Sequence, residues 1–139
     1  MVRSFYRGCH GVFLVFDLTS RASFESIDNV WMEEVNKYAE AGVNLILVGN
    51  KNDLETEREV SREAAQAYAN ENGMTYFETS AKTGDEVEST FESMALQLHG
   101  KRHTLPSLSK KKLDVTGGGE EVDGSGKRKR DQQNCCVIL

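Results

Sequence analysis

The sequence predicts an α/β fold built around a parallel sheet. Three runs carry this: residues 11–16, 43–48 and 74–79 are rich in β-branched and aromatic side chains, and each is followed by a segment with helical spacing. The run over residues 11–16 is continuously apolar rather than alternating, which fits a strand covered on both faces. Three strand-loop-helix units in succession call for parallel strands, right-handed crossovers and helices packed on the sheet faces.

The elements follow in order. Residues 1–10 read as the end of a helix leading into the first strand, with Phe5 and Tyr6 as packing residues. After that strand, Ser20 is a helix N-cap and Gly42 a stop, bounding a helix that reaches about residue 41. Phe24, Ile27, Trp31, Val35 and Tyr38 recur at intervals of 3, 4, 4 and 3, so one stripe faces the sheet. A second helix is expected over residues 62–70, with Ala64, Ala65, Ala67 and Tyr68 as its packing face and Asn72-Gly73 ending it. Between that helix and the second strand, Glu55, Glu57, Arg58 and Glu59 read as a solvated loop. A third helix is expected over residues 85–99, with Val87, Phe91, Met94 and Leu98 facing inward.

Composition narrows the class. A chain of 139 residues makes one domain and a tail, and 38% apolar with 28% charged residues fits a soluble globular body with some disordered sequence. No apolar run has transmembrane length, and Arg3 and Arg7 interrupt what a signal peptide would keep apolar, so a cytosolic side is expected. Residues 1–100 hold 8 Lys/Arg against 17 Asp/Glu, a net of −9; residues 101–139 hold 9 against 5, a net of +4, which together give −5. An acidic body with a basic tail argues against nucleic acid as a partner and for a tail that meets an anionic surface. Cys9 stands alone and Cys135-Cys136 adjoin, which makes neither a disulfide framework nor metal-ligand spacing.

Two loops carry the candidate chemistry. Asn50-Lys51-Asn52-Asp53 follows the second strand. A carboxylate at Asp53 can accept two parallel hydrogen bonds from the N1 and N2 hydrogens of guanine, and adenine presents no such donor pair. Asn50 can brace the loop, and the Lys51 stem can lie over the base. The plainer reading is an Asx-type turn, since Asn and Asp are ordinary turn residues. Thr79-Ser80-Ala81-Lys82 follows the third strand and offers backbone N–H groups to a base carbonyl. Both loops fall at carboxyl ends of strands, where sheets of this kind bind ligands.

The pair of motifs, with Phe5-Tyr6-Arg7-Gly8, Phe16-Asp17-Leu18-Thr19 and Glu78-Thr79-Ser80-Ala81-Lys82, resembles the Rab family of the Ras superfamily of small GTPases over residues 1–100. The resemblance implies a parallel-sheet, P-loop-NTPase-like GTPase domain that binds GTP or GDP. In it Asn50, Lys51 and Asp53 hold the guanine and ribose side, and Ser80, Ala81 and Lys82 close over the base. It also implies a switch in vesicle traffic on the cytoplasmic face of intracellular membranes. Exchange factors, activating proteins, effectors and the Rab escort and prenylation machinery are the expected partners.

Beyond residue 100 the periodicity stops, and residues 101–134 read as a disordered tail. Lys127-Arg128-Lys129-Arg130 reads as a nuclear signal, a solvated run or, beside the terminal cysteines, a membrane-facing patch. Residues 135–139 read as a prenylation motif: Cys136 heads a Cys-aliphatic-aliphatic-Leu box, and Cys135 resembles the two-cysteine ending of many Rab proteins. The GxxxxGK[ST] loop, first-switch threonine and DxxG motif of a small GTPase are absent from these residues. The expectation is therefore a domain lacking its N-terminal βα units, with magnesium bound only in an intact form. A catalytically inactive, prenylated interaction module that keeps only the base loops is the alternative.

Overall fold

The computed structural model describes residues 6, 8–101 and 136–138, the last three by their backbone. The expected tail over residues 101–134, apart from Lys101, lies outside the described residues, as do Phe5, the 127–130 basic run and Cys135.

Strands β1 (Gly11–Asp17), β2 (Asn44–Asn50) and β3 (Thr75–Thr79) form the predicted parallel sheet. The backbone of β4 (Cys136–Ile138) adds in parallel to the other side of β1, opposite Val12 to Leu14, giving the order β3-β2-β1-β4. The β1–β2 ladder runs from Gly11↔Asn44 to Asp17↔Asn50, and β2–β3 ends at Asn50↔Thr79. Asp17, Asn50 and Thr79 therefore stand in one row across the carboxyl end of the sheet.

Helix α1 starts at Arg21–Ser26, α2 is Arg62–Glu71 and α3 is Val87–Lys101. Because side chains alternate along a strand, Val12, Leu14, Phe16, Leu47 and Tyr76 share one core with Ile27, Met32 and Val35 of α1 and Ala65 and Ala69 of α2. Phe13, Ile46 and Val48 pack on the other face with Met94 of α3. Both faces are covered, as the continuous apolar run over β1 predicts.

The predicted stripe of α1 is broken midway. Ser20 caps the helix by accepting from the Ser23 N–H, but Ile27–Met32 is π-helical before α geometry resumes at Glu33–Tyr38. A π segment carries extra residues per turn, so the spacing of 4 from Ile27 to Trp31 no longer returns to the same face. Met32 takes the buried position at 8% exposure, Trp31 packs at the margin and Val30 stands 46% exposed. Two other faces differ in detail. Ala69, not Ala67, is buried on α2, where Ala67 is exposed. On α3, Thr90 and Met94 are buried, while Phe91 is 54% exposed with one side tilted against Phe13, ring centroids 5.0 Å apart. The third helix begins at Val87 rather than 85 because Glu86 has φ +52°, outside helical space, and it runs on to Lys101, whose ammonium donates to the Gly42 carbonyl at 2.7 Å. Tyr6 packs as expected, buried and donating to Glu34 Oε2 at 2.9 Å. Among the described residues no helix is long and apolar enough to cross a membrane.

Candidate functional site

The strand-end row feeds two loops that are bonded to each other. Asn50, the last residue of β2, uses Oδ1 to accept from the Ala81 N–H at 3.0 Å and the Thr79 hydroxyl at 3.3 Å. The Asn52 N–H donates to the Thr79 carbonyl at 3.0 Å, and Asn52 Nδ2 donates to Asp85 Oδ2 at 2.7 Å. Ser80 is fully buried; its hydroxyl donates to Asp53 Oδ1 at 2.6 Å while accepting from the Thr83 N–H at 3.1 Å. Residues 27 to 31 positions apart in sequence are thus fixed side by side.

Asp53 itself is exposed. Its Oδ2 accepts no hydrogen bond from the described residues, and a carboxylate offers about four lone-pair sites in all. It retains the acceptors that the N1 and N2 hydrogens of guanine require, held at one oxygen by Ser80. The residues present fit a guanine edge. Asn50 acts as the brace, as the sequence suggested, but it also engages the Ala81 N–H, so that amide is turned to Asn50 rather than left open toward a base carbonyl. Lys82 is exposed at the rim.

Lys51 has φ +68°, a left-handed conformation rare for a non-glycine residue. It swings the side chain off the line of β2, and its ammonium lies 2.5 Å from Asp17 Oδ2. That contact raises the Lys51 pKa; for Asp17, burial pushes upward, but the bonds from Lys51 and Thr19 outweigh it and leave the carboxyl below its ordinary value. Sequence reasoning assigns Asp17 no role beyond the Phe16-Asp17-Leu18-Thr19 stretch of the resemblance. The signal that would have found it is its place at the end of a strand adjacent to the base loop.

A second missed feature lies beneath the loops. Glu78 of β3 is 9% exposed and receives a fork from Arg58, Nη1 to Oε1 and Nη2 to Oε2, each at 3.0 Å, plus the Tyr76 hydroxyl at 2.8 Å. Arg58 also holds Glu55 at 2.8 Å, so two of the residues expected in a solvated loop form a charged clamp on β3. Burial raises the Glu78 carboxyl, but the bonds from Arg58 and Tyr76 prevail and hold it below its usual 4.5; burial and the same carboxylate raise Tyr76. Gly49 admits the ring: a Cβ there would lie 2.8 Å from Leu18 Cδ2 and 3.0 Å from the Tyr76 hydroxyl.

Comparison with known proteins gives a family. The model of the Ras family matches residues 1–100. The chain belongs to that family, on its Rab-type side. It is 37% identical to Ras-related protein RABD2b of Arabidopsis thaliana over 133 residues, 96% of this chain and 62% of that protein. It is 39% identical to the GTP-binding protein YPTM2 of Zea mays over 106 residues, 76% of this chain and 52% of that protein. It is 40% identical to Ras-related protein Rab-13 of Canis lupus familiaris over 119 residues, 80% of this chain and 58% of that protein. The chain thus spans between half and two thirds of the length of these relatives. Among the described residues no group of three or more His, Cys, Asp or Glu is placed to hold a metal ion.

The Arg58 clamp gives a signed pH test. In the wild type the lowered Glu78 carboxyl contributes stability that is present above pH 4.5 and is lost as pH falls through the folded value. Arg58→Met leaves a buried carboxylate without its fork and should cost about 2 to 4 kcal/mol at pH 7. Without the fork, burial weighs more against Tyr76 and Arg62 and the Glu78 carboxyl moves up from its wild-type position, so the deficit should shrink as pH falls toward 4. Urea denaturation of both proteins between pH 4 and 7 checks this; a deficit independent of pH would contradict it.

Proposed function

We propose that these residues are the guanine-recognition part of a Rab-type GTPase, a GTP-binding and hydrolysing switch in vesicle traffic that is attached to membranes through a lipidated tail. The observation that carries the base-reading role is the Asp53–Ser80 bond of 2.6 Å, because it aims an exposed carboxylate from a loop fixed to a second loop. Asn50, Lys51 and Asp53 hold the base from one side, and Ser80, Ala81 and Lys82 support it from the other. The printed name of the maize relative, a GTP-binding protein, supports the same ligand. GTP and GDP are the expected ligands; exchange factors, activating proteins, effectors and prenylation machinery are the partner classes the family membership suggests.

The base loops alone meet a small flat face, without the phosphate contacts that dominate such affinities. Binding to the 139-residue chain should therefore be weak, roughly millimolar or about 4 kcal/mol. NMR titration with GMP and AMP suits that range. The wild type should favour GMP by about tenfold, a difference of roughly 1.4 kcal/mol. Asp53→Ala should bind the two alike. Equal preference already in the wild type would overturn the base-reading role.

The lipid reading rests on the sequence Cys135-Cys136-Val137-Ile138-Leu139 and the basic run before it. With the 136–138 backbone paired to β1, modification requires that segment to leave the sheet edge. Two prenyl groups, or one with a basic patch, are what stable membrane attachment needs. Replacing Cys135 and Cys136 together by Ser should move the protein from the membrane to the soluble fraction of cells. The basic residues alone supply about 1 kcal/mol each near an anionic surface, and salt screens them. Unchanged membrane fractionation of the double variant would refute lipid anchoring.

A further inference from the structure

Asp17 has both carboxylate oxygens committed in different directions. Oδ1 accepts from the Thr19 N–H at 2.8 Å and the Thr19 hydroxyl at 2.7 Å, and the Asp17 N–H donates to Ser23 Oγ at 3.0 Å. The carboxylate is thereby held by its own turn through Thr19, while the backbone beneath it is tied to the first turn of α1 through Ser23. Its remaining oxygen, Oδ2, holds the Lys51 ammonium. Since Asp17 pairs in register with Asn50, the residue before Lys51, the lysine stem must run from the loop after β2 back across the end of β1.

An unpinned lysine on a surface samples many rotamers and gives them up on binding. Here that freedom is already removed. The stem is stretched between a left-handed backbone position and a fixed anion, beside the Asp53 carboxylate that faces the base edge. We propose that Asp17 is a positioning residue for nucleotide binding: by pinning the Lys51 ammonium it lays the four-carbon stem down as a preformed apolar wall for one face of a guanine base. This rests on the guanine reading above. The competing account is an ordinary half-exposed ion pair that contributes nothing to binding, since the Lys51 and Asp17 side chains are 48% and 25% exposed.

A double-variant cycle on the full 139-residue chain separates the two, with GMP as the probe. Asp17→Asn keeps the shape of the side chain and its bonds to Thr19 but removes the anion. Lys51→Met keeps the stem and removes the ammonium, leaving Asp17 untouched. Each single variant should weaken GMP about threefold. The double variant should be no weaker than either single one, because both break the same tether. NMR relaxation at the Lys51 side chain gives a readout independent of ligand, and Asp17→Asn should raise the mobility of the Lys51 terminal carbon and nitrogen. If Asp17→Asn fails to fold, Lys51→Met alone still tests the proposal through its own threefold loss. Additive losses in the double variant, or GMP binding unchanged in both single variants, would overturn the positioning role while leaving base recognition standing. No GMP binding by the wild type would remove the guanine reading and this inference with it.

Discussion

The parallel register of three strands is the constraint from which the rest follows. Because β1, β2 and β3 pair with Asp17 opposite Asn50 and Asn50 opposite Thr79, the three loops that leave the sheet begin at one level. A slip of one residue between any two strands would invert the faces of every side chain along them. Both faces are buried against helices, so the register is strongly specified. The burial of Leu14 and Leu47 on one side and of Phe13 and Ile46 on the other is what holds Asn50 within reach of Ala81 and Asp17 within reach of Lys51.

Above this row, bonding between the loops is polar and economical. Asn50 ties the β3 loop to β2, Ser80 ties it to Asp53, and Asn52 ties it to Asp85. Below it, Arg58 reaches in from the connection after Asp53 and grips Glu78 one residue before Thr79. A bidentate guanidinium fork is directional, so the start of the second loop is fixed from underneath as well as from above. The Tyr76 hydroxyl that shares Glu78 lies close over Gly49, where a Cβ would come within 3.0 Å of it. The placement of the second loop therefore rests in part on Gly49, Arg58 and Tyr76.

Much of this was legible in the sequence. Apolar runs identified the three main strands, and the loop residues at their ends, Asn50 to Asp53 and Thr79 to Lys82, identified the candidate site. What stayed hidden depends on geometry that periodicity does not encode. A π segment shifts the buried position from Trp31 to Met32, and no residue of Ile27–Met32 signals it by type. The inward face of α2 includes Ala69 rather than Ala67, because an alanine-rich helix offers several faces of similar hydrophobicity and its packing partners choose among them. Phe91 lies on the predicted face of α3 and meets Phe13, yet remains half exposed. Arg58 reads as a solvated charge because Glu78, the carboxylate it grips, lies 20 residues away in sequence, and Glu55 joins the clamp only through Arg58. The addition of β4 to β1 could not be read from three residues at all.

The central claim is that the Asp53 carboxylate, held by Ser80, reads the hydrogen-bonding edge of a purine. Guanine presents two donors on that edge, whereas xanthine presents one donor and one acceptor at the same positions. An amide at residue 53 offers one acceptor and one donor, which suits xanthine and leaves guanine with opposed donors. The most direct measurement is a paired NMR titration of wild type and Asp53→Asn with GMP and XMP. The account predicts that the wild type prefers GMP and the variant prefers XMP, and an unchanged preference for GMP in the variant would contradict it.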